Sequence, residues 1–383
     1  MLECESQILS VNKILIAAIA GRMLATSARR GGYDVAVLDL FNDLDTRQIA
    51  MNSEKVPGHE QGLARFSGQA LLQAASRLAP GDAYAGVVYG SGFEDDTALL
   101  GELAQGRRLY GNSVATINAI KDPRQFFSLL KKWAVPHPEI SLSRPDQTVG
   151  WLAKKIGGSG GAHVTSATQS SDERKDRYYQ QFIDGKNYSV SFLANRARAM
   201  IIGFNEPWSI ALGDWPYCYF GAINRIAMSP AMTERIQRDL DVIVRATGLV
   251  GLNGMDFIVN GDEYFVIEVN PRPSGPLDLY DGDCPEGLFH WHLKASDGEL
   301  PQRLFDRETR RAHAVVYTPQ PLQLLRNVQW PPWCSDIPEC GSSFQARMPV
   351  CMVHAEGSDH EQVKTLVHAR REKILKIIQQ QAA

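Results

Sequence analysis

Apolar residues at the start of the chain fall into short continuous runs separated by stretches of helical period. KILIAAIA (13–20), YDVAVLDL (33–40) and YAGVVYG (84–90) read as buried strands, with helix-like segments at 22–30 and 63–78 between them. Gly31-Gly32 ends the first helix. This alternation predicts an α/β beginning: a βαβ unit with a small parallel sheet whose loops gather at the carboxyl ends of the strands. Two of those ends, Gly21-Arg22 and Gly90-Ser91-Gly92, place glycines where backbone amides either receive an anionic ligand or merely turn the chain. A dinucleotide fold requires G-x-G-x-x-G after the first strand, and AIAGRMLATSARRGG does not supply it. Asp39 is therefore expected to cap or turn rather than to hold a ribose.

Further along, a helix is expected over 118–133, with Asp122-Pro123 near its start and VPHP (135–138) beyond its end. WLAKKIGGSGGAHV (151–164) is a short strand carrying lysines into a glycine-rich loop, and 166–176 is a polar connection. The segment 178–204 reads as three strands, with turns at Asp184-Gly185 and Asn195. A helix over 232–248 stops at Gly248. The tail brings a strand at 314–318, a proline-rich stretch and an amphipathic basic helix over about 360–379, expected to dock on the tail sheet or pair in a dimer.

Length and charge narrow the class of protein. At roughly 100–200 residues per domain, 383 residues predict two or three domains. The net charge of -3, without a basic arm or stripe, argues against a nucleic-acid binder. The six cysteines are spread widely, as in a chain of reduced thiols, and no apolar run reaches the length of about 18 residues that spans a bilayer. The amino terminus does not read as a signal peptide. A soluble, cytoplasmic enzyme or binding protein is expected.

The most informative segment is GMDFIVNGDEYFVIEVNPRPSG (254–275), two strands around a polar turn. A three-residue loop, Gly261-Asp262-Glu263, pairs Asn260 with Tyr264, Ile258 with Val266 and Asp256 with Glu268. Asn270 then shares their face. Two opposed carboxylates and an amide oxygen suit Mg²⁺ completed by phosphate oxygens, unless they are simply solvated residues on an exposed sheet face. Lys154, followed by Gly157, Gly158, Ser159, Gly160 and Gly161, offers a point charge and a backbone able to close over phosphates, with a spacing unlike the P-loop.

In this order, a βαβ start, a proline-marked linker, a lysine followed by a glycine loop, Q-x-F-I-x-G and a terminal D…E-x-N-P-R, the sequence resembles the ATP-grasp superfamily over most of its length. Within it, 21–45, 89–95 and 314–321 resemble the branch of predicted ATP-dependent carboligases. The resemblance implies an α/β chain of three parts: a Rossmann-like pre-ATP-grasp domain (1–113), an ATP-grasp domain (114–305) and a β-rich carboxyl-terminal module with a terminal helix (306–383). It implies that Asp256, Glu268 and Asn270 hold two Mg²⁺ ions, Mn²⁺ serving as a substitute. Lys154 and the 157–161 loop would hold the ATP phosphates, and Gln180, Gln181, Phe182 and Ile183 would form the hinge that reads adenine. Arg272 would stabilise the transferring phosphoryl group. Gln180 stands where relatives often have glutamate, and Asn187 where an acidic ribose ligand is expected. The Asp-Lys of many relatives is Asp122-Pro123 here, which leaves Arg124 as the second phosphate-facing cation.

The implied chemistry is carboxylate–amine ligation: a carboxylate takes the γ-phosphoryl group as an acyl phosphate, and an amine displaces phosphate without a protein nucleophile. An amino acid consumed in coenzyme biosynthesis fits that branch. Substrate would lie between the hairpin and the first-domain loops, with Arg22, Gly92 and Glu94 nearby, and Arg225 is a candidate for a substrate carboxylate or else a surface arginine. The other reading is a nucleotide-binding regulatory or scaffold protein without turnover. Cys334, Cys340, Cys351 and His354 lack the close pairs of a zinc site, His290 and His292 read as local packing, and GGSGG (157–161) is no nucleophile elbow.

Overall fold

The computed structural model describes residues 12–59, 64–81, 83–169, 175–303 and 309–380. Strand β1 (Lys13–Ala17), helix α1 (Arg22–Arg30), β2 (Asp34–Asp39) and β3 (Asn52–Lys55) begin the expected βαβ unit. Helix α2 (Gly68–Leu78), β4 (Gly86–Tyr89), helix α3 (Thr97–Leu103) and β5 (Leu109–Tyr110) complete a parallel sheet of order β3-β2-β1-β4-β5. The central strands β1, β2 and β4 are buried on both faces, which is why they read as unbroken apolar runs. Residue 63, where the second helix was expected to begin, lies outside the described residues, and the helix starts at Gly68. Asp39 accepts hydrogen bonds from the amides of Gly21, Phe41 and Asn42 and so fixes the turns at the carboxyl ends of β1 and β2.

The single helix expected over 118–133 is two: α4 (Val114–Lys121) and α5 (Pro123–Lys132). The residue before a proline is driven out of the α region, and Asp122 sits at φ -77°, ψ 110°, capping α5 through the amides of Arg124 and Gln125. A four-stranded antiparallel sheet follows, formed by β6 (Ile140–Ser141), β7 (Trp151–Lys155), β8 (Val164–Ser166) and β9 (Arg177–Gln181) in the order β8-β7-β9-β6.

The largest sheet contains β10 (Lys186–Asn195), β11 (Ala199–Leu212), β12 (Trp215–Ile223), β13 (Val250–Asn260) and β14 (Glu263–Asn270). Helix α6 (Pro230–Thr247) packs Ile236, Leu240, Ile243 and Val244 against it, starting at a Ser229 cap and ending at Gly248, whose φ of 72° glycine adopts without strain. After α7 (Asp278–Asp281), helix α8 (Gly287–Ser296) inserts Phe289 and Leu293 among Ile14, Val35 and Val88 beneath the first sheet.

The tail strands β15 (Arg310–Tyr317), β16 (Cys334–Ser335) and β17 (Pro349–Gly357) extend the large sheet to eight, in the order β14-β13-β10-β11-β12-β15-β17-β16. Helix α9 (His360–Gln379) docks on this extension through Val363, Val367, Ile374 and Ile378, the first of its two expected placements. Hydrogen-bonded pairing of β12 with β15 runs across residue 305, so the tail is continuous with the central sheet. Among the described residues no helix is long and apolar enough to cross a membrane.

Candidate active site

The hairpin of β13 and β14 reaches the expected pairing by an unexpected route. Its loop has two residues, Gly261-Asp262: Asn260 pairs with Glu263, Val259 with Tyr264 and Ile258 with Phe265, not Asn260 with Tyr264 and Ile258 with Val266. Gly261 takes a φ of 60° at the first loop position, the place for glycine in a tight hairpin. That shorter loop alone would turn Glu268 to the wrong face. A bulge at Ile267 cancels the slip, so Phe257 faces Val266 and Asp256 still faces Glu268. Gln180 Nε2 donates to the Ile267 carbonyl at the bulge, 3.3 Å away.

Asn270 lies on the same face, its Nδ2 donating to Asp256 Oδ2 at 3.0 Å. Lys154 Nζ, at the end of β7, donates to Gln180 Oε1 at 2.9 Å, and this lysine is only 5% exposed. Burial lowers its pKa, with Glu268 and Asp256 opposing. Lys121 Nζ forms an ion pair with Glu268 and donates to Asn270 Oδ1 at 3.3 Å. Burial works against the charge of Glu268, but Lys121, Lys154 and His163 outweigh it and hold its pKa at about 2. Burial and then Glu268 push Asp256 the other way, up to about 6. The face therefore carries two carboxylates, an amide oxygen and two lysines, a hard-oxygen set suited to a divalent cation beside phosphate.

This face forms one wall of a cavity of about 560 Å³. Ser159, Gly160 and Gly161 of the glycine loop line it, as do Gln180, Gln181, Phe182, Ile183, Asn187 and Arg272. Gly157 packs instead on the Glu94 backbone, and Gly158 lies under the His163 ring. The amides of Gln181 and Phe182 are engaged by the Glu139 and Gly150 carbonyls. Arg272 is buried in an ion pair with Glu94, whose other carboxylate oxygen accepts from the amides of Gly92 and Phe93.

Four more of the predicted site residues stand elsewhere. Arg124 is exposed on the first turn of α5. Lys121, two residues before Pro123, takes the inward position assigned to it; the proline, read from sequence as lying near the start of one helix, ends α4 at that lysine. Arg22 is held by Asp336 and Asp278, each at 2.9 Å, and is not itself among the residues that line the cavity. The Gly92 amide is taken by Glu94 at 2.8 Å, leaving it no role with an anionic ligand. Arg225 is bound to Asp283 at 2.7 Å and to the Thr309 carbonyl, so it neither lines the cavity nor sits free on the surface. His163 was also missed. It is 8% exposed, with Nδ1 buried and unpartnered, and burial lowers its pKa to about 4, leaving the ring neutral among Glu268, Lys154 and Lys121. We expect Lys121→Met to lower ATP turnover on the order of 100-fold and Arg124→Ala to change it by less than about twofold, measured as steady-state ADP formation.

The parallel-sheet domain and the antiparallel sheets meet around one cavity, whose wall carries Lys154 and the oxygen-rich hairpin. Residues 120–276 match the ATP-grasp domain model, so this part of the chain is an ATP-grasp domain. It is 24% identical over 217 residues to the carbamoyl phosphate synthase large chain of Rubrobacter xylanophilus, an alignment that covers 49% of this chain and 20% of that one. The chain thus spans about a fifth of the length of that curated relative. Among solved structures it resembles biotin carboxylase from Campylobacter jejuni, with a TM-score of 0.72 at 12% identity over 94% of this chain and 90% of that one. It also resembles N5-carboxyaminoimidazole synthase from Aspergillus clavatus, solved with ADP and 5-aminoimidazole ribonucleotide, with a TM-score of 0.69 at 15% identity over 96% and 99%.

Proposed function

We propose that this protein is an ATP- and Mg²⁺-dependent ligase that joins a small-molecule carboxylate to an amine through an acyl phosphate. The observation that carries this reading is the continuity of one cavity, from the hinge at Gln180–Ile183, past Lys154, Asp256, Glu268 and Asn270, to the first-domain residues Ile19, Ala20 and Ser91. A nucleotide and an acceptor can lie end to end in such a space. Asp256, Glu268 and Asn270 would hold Mg²⁺, which when bound neutralises charge on the ATP phosphates.

The side chains of the chain itself do the positioning. Lys154 and Lys121 reach the same face and favour a transferring phosphoryl group electrostatically, with no nucleophile required from the protein. Arg272, held in place by Glu94, adds a guanidinium at the junction with the first domain. In the first step a carboxylate oxygen attacks the γ-phosphorus, the bond to the bridging oxygen breaks and ADP leaves. In the second, the amine nitrogen attacks the acyl carbon, the carbon–oxygen bond breaks, phosphate departs, and the amine proton passes to solvent.

The test is Mg²⁺-dependent ADP release across a panel of carboxylates, with hydroxylamine present to trap an activated acyl group. Carboxylate-stimulated release with formation of a hydroxamate is expected. ATP binding with no stimulation by any carboxylate would favour the nucleotide-binding reading without turnover.

A further inference from the structure

The end of the cavity away from the hinge is acidic, with Arg22 set among its carboxylates. Asp43 and Asp336 line it, with Asp39, Asp45 and Asp278 close behind. Asp39 is saturated by three backbone amides, and Asp45 accepts from the amides of Asp336 and Ile337. Arg22 is shared between Asp336 and Asp278 and stands 3.9 Å from Asp45. Among the described residues nothing donates a hydrogen bond to the Asp43 carboxylate and no cation pairs with it. Burial, then Asp336, Asp39 and Asp45, raises its pKa well above the usual carboxylate range, with Arg22 opposing.

Two further groups near this end each hold one polar atom without a partner. His313 is fully buried and lies within the electrostatic reach of Asp278, His354, Arg22 and Asp336; its Nε2 is 2.7 Å from the Tyr219 hydroxyl on the cavity wall, and its Nδ1 has no partner. Asn42 Oδ1, beside Asp43, is likewise buried and unpartnered. No three of these carboxylates and imidazoles come close enough to hold a metal ion, among the described residues. The neighbouring wall carries Ile19, Phe41 and Ala64, apolar surface suited to a carbon skeleton.

We infer that the cavity end at Asp43 and Asp336 binds a positively charged group of the amine substrate, an ammonium or guanidinium on a short carbon chain. Such a group brings several N–H donors and a positive charge to carboxylates whose own partners are few. This rests on the ligase reading for the word substrate, but the binding itself does not require turnover.

The test uses the full chain with putrescine and agmatine as probes and 1,4-butanediol as the neutral control, titrated calorimetrically in the presence of Mg-ATP. Wild-type protein should bind at least one cationic probe and not the diol. Asp43→Asn should weaken that binding about tenfold or more, and Asp43→Glu, which keeps the charge, should recover part of it; equal ATP affinity in all three forms shows the fold is intact. Binding of a cationic probe without ADP release would retain the cation site and remove the ligase reading. Probe binding unchanged by Asp43→Asn, diol binding equal to putrescine, or no binding of either cation would overturn the inference, whatever the turnover assay shows.

Discussion

Replacing Glu268 by glutamine is expected to lower ATP-dependent turnover by about 100-fold or more and to leave a cooperatively folding protein. Glu268 is the carboxylate on which Lys121 and Lys154 converge, and its charge is held far below the usual range by them against the cost of burial. Glutamine keeps the size and an acceptor for Lys121, so the hairpin and its bulge have no reason to move. It removes one of the two anionic oxygen donors that face each other across β13 and β14, and with it most of the site's attraction for a divalent cation. Losses of 10²–10³ are usual when one electrostatic contact to a developing charge is deleted. Steady-state ADP release and thermal unfolding check the two halves of the expectation, and a fully active variant would remove Glu268 from the proposed site.

Arg272→Met should be the most destabilising single change in the cavity wall, by about 3–5 kcal/mol in denaturant unfolding. Arg272 and Glu94 are 8% and 7% exposed, and the arginine comes from the hairpin's end while the glutamate comes from the first domain. Removing the guanidinium strands a buried carboxylate with only the amides of Gly92 and Phe93 for compensation. The double change Arg272→Met with Glu94→Gln takes both charges away and should recover most of that stability without recovering turnover. A double variant as unstable as the single one would show that the cost lies in packing and not in the orphaned charge.

Much of this is legible in the sequence alone. Parallel strands buried on both faces announce themselves as apolar runs, and the turn residues Gly31, Gly248 and Asp39 have local chemistry that leaves few alternatives. Long-range closure was harder to see. The pairing of Asp256 with Glu268 follows from the alternation of side chains, yet the loop chosen to explain it was one residue too long, because a bulge leaves no mark that distinguishes Ile267 from any other strand residue. Arg22, Arg124 and Arg225 looked available for ligands because sequence shows a cation and not its partners. Asp336, Asp278 and Asp283 lie far away in the chain and claim two of those arginines only in three dimensions. Lys121 was within reach: Pro123 forbids a continuous helix, and a helix that ends at a lysine presents it differently from one that runs through it. The acidic end of the cavity was beyond reach, since it is assembled from loops after β2, the start of α7 and the tail.

The most direct test of the central claim follows an oxygen atom. A carboxylate that stimulates ADP release, labelled with ¹⁸O in its carboxyl group, is incubated with the protein, Mg-ATP and an amine, and the released phosphate is examined by mass spectrometry. Acyl-phosphate ligation predicts one carboxylate oxygen in each phosphate formed with product. Phosphate whose added oxygen comes from water alone would contradict it, and would mean that ATP is hydrolysed at this site without activating the carboxylate.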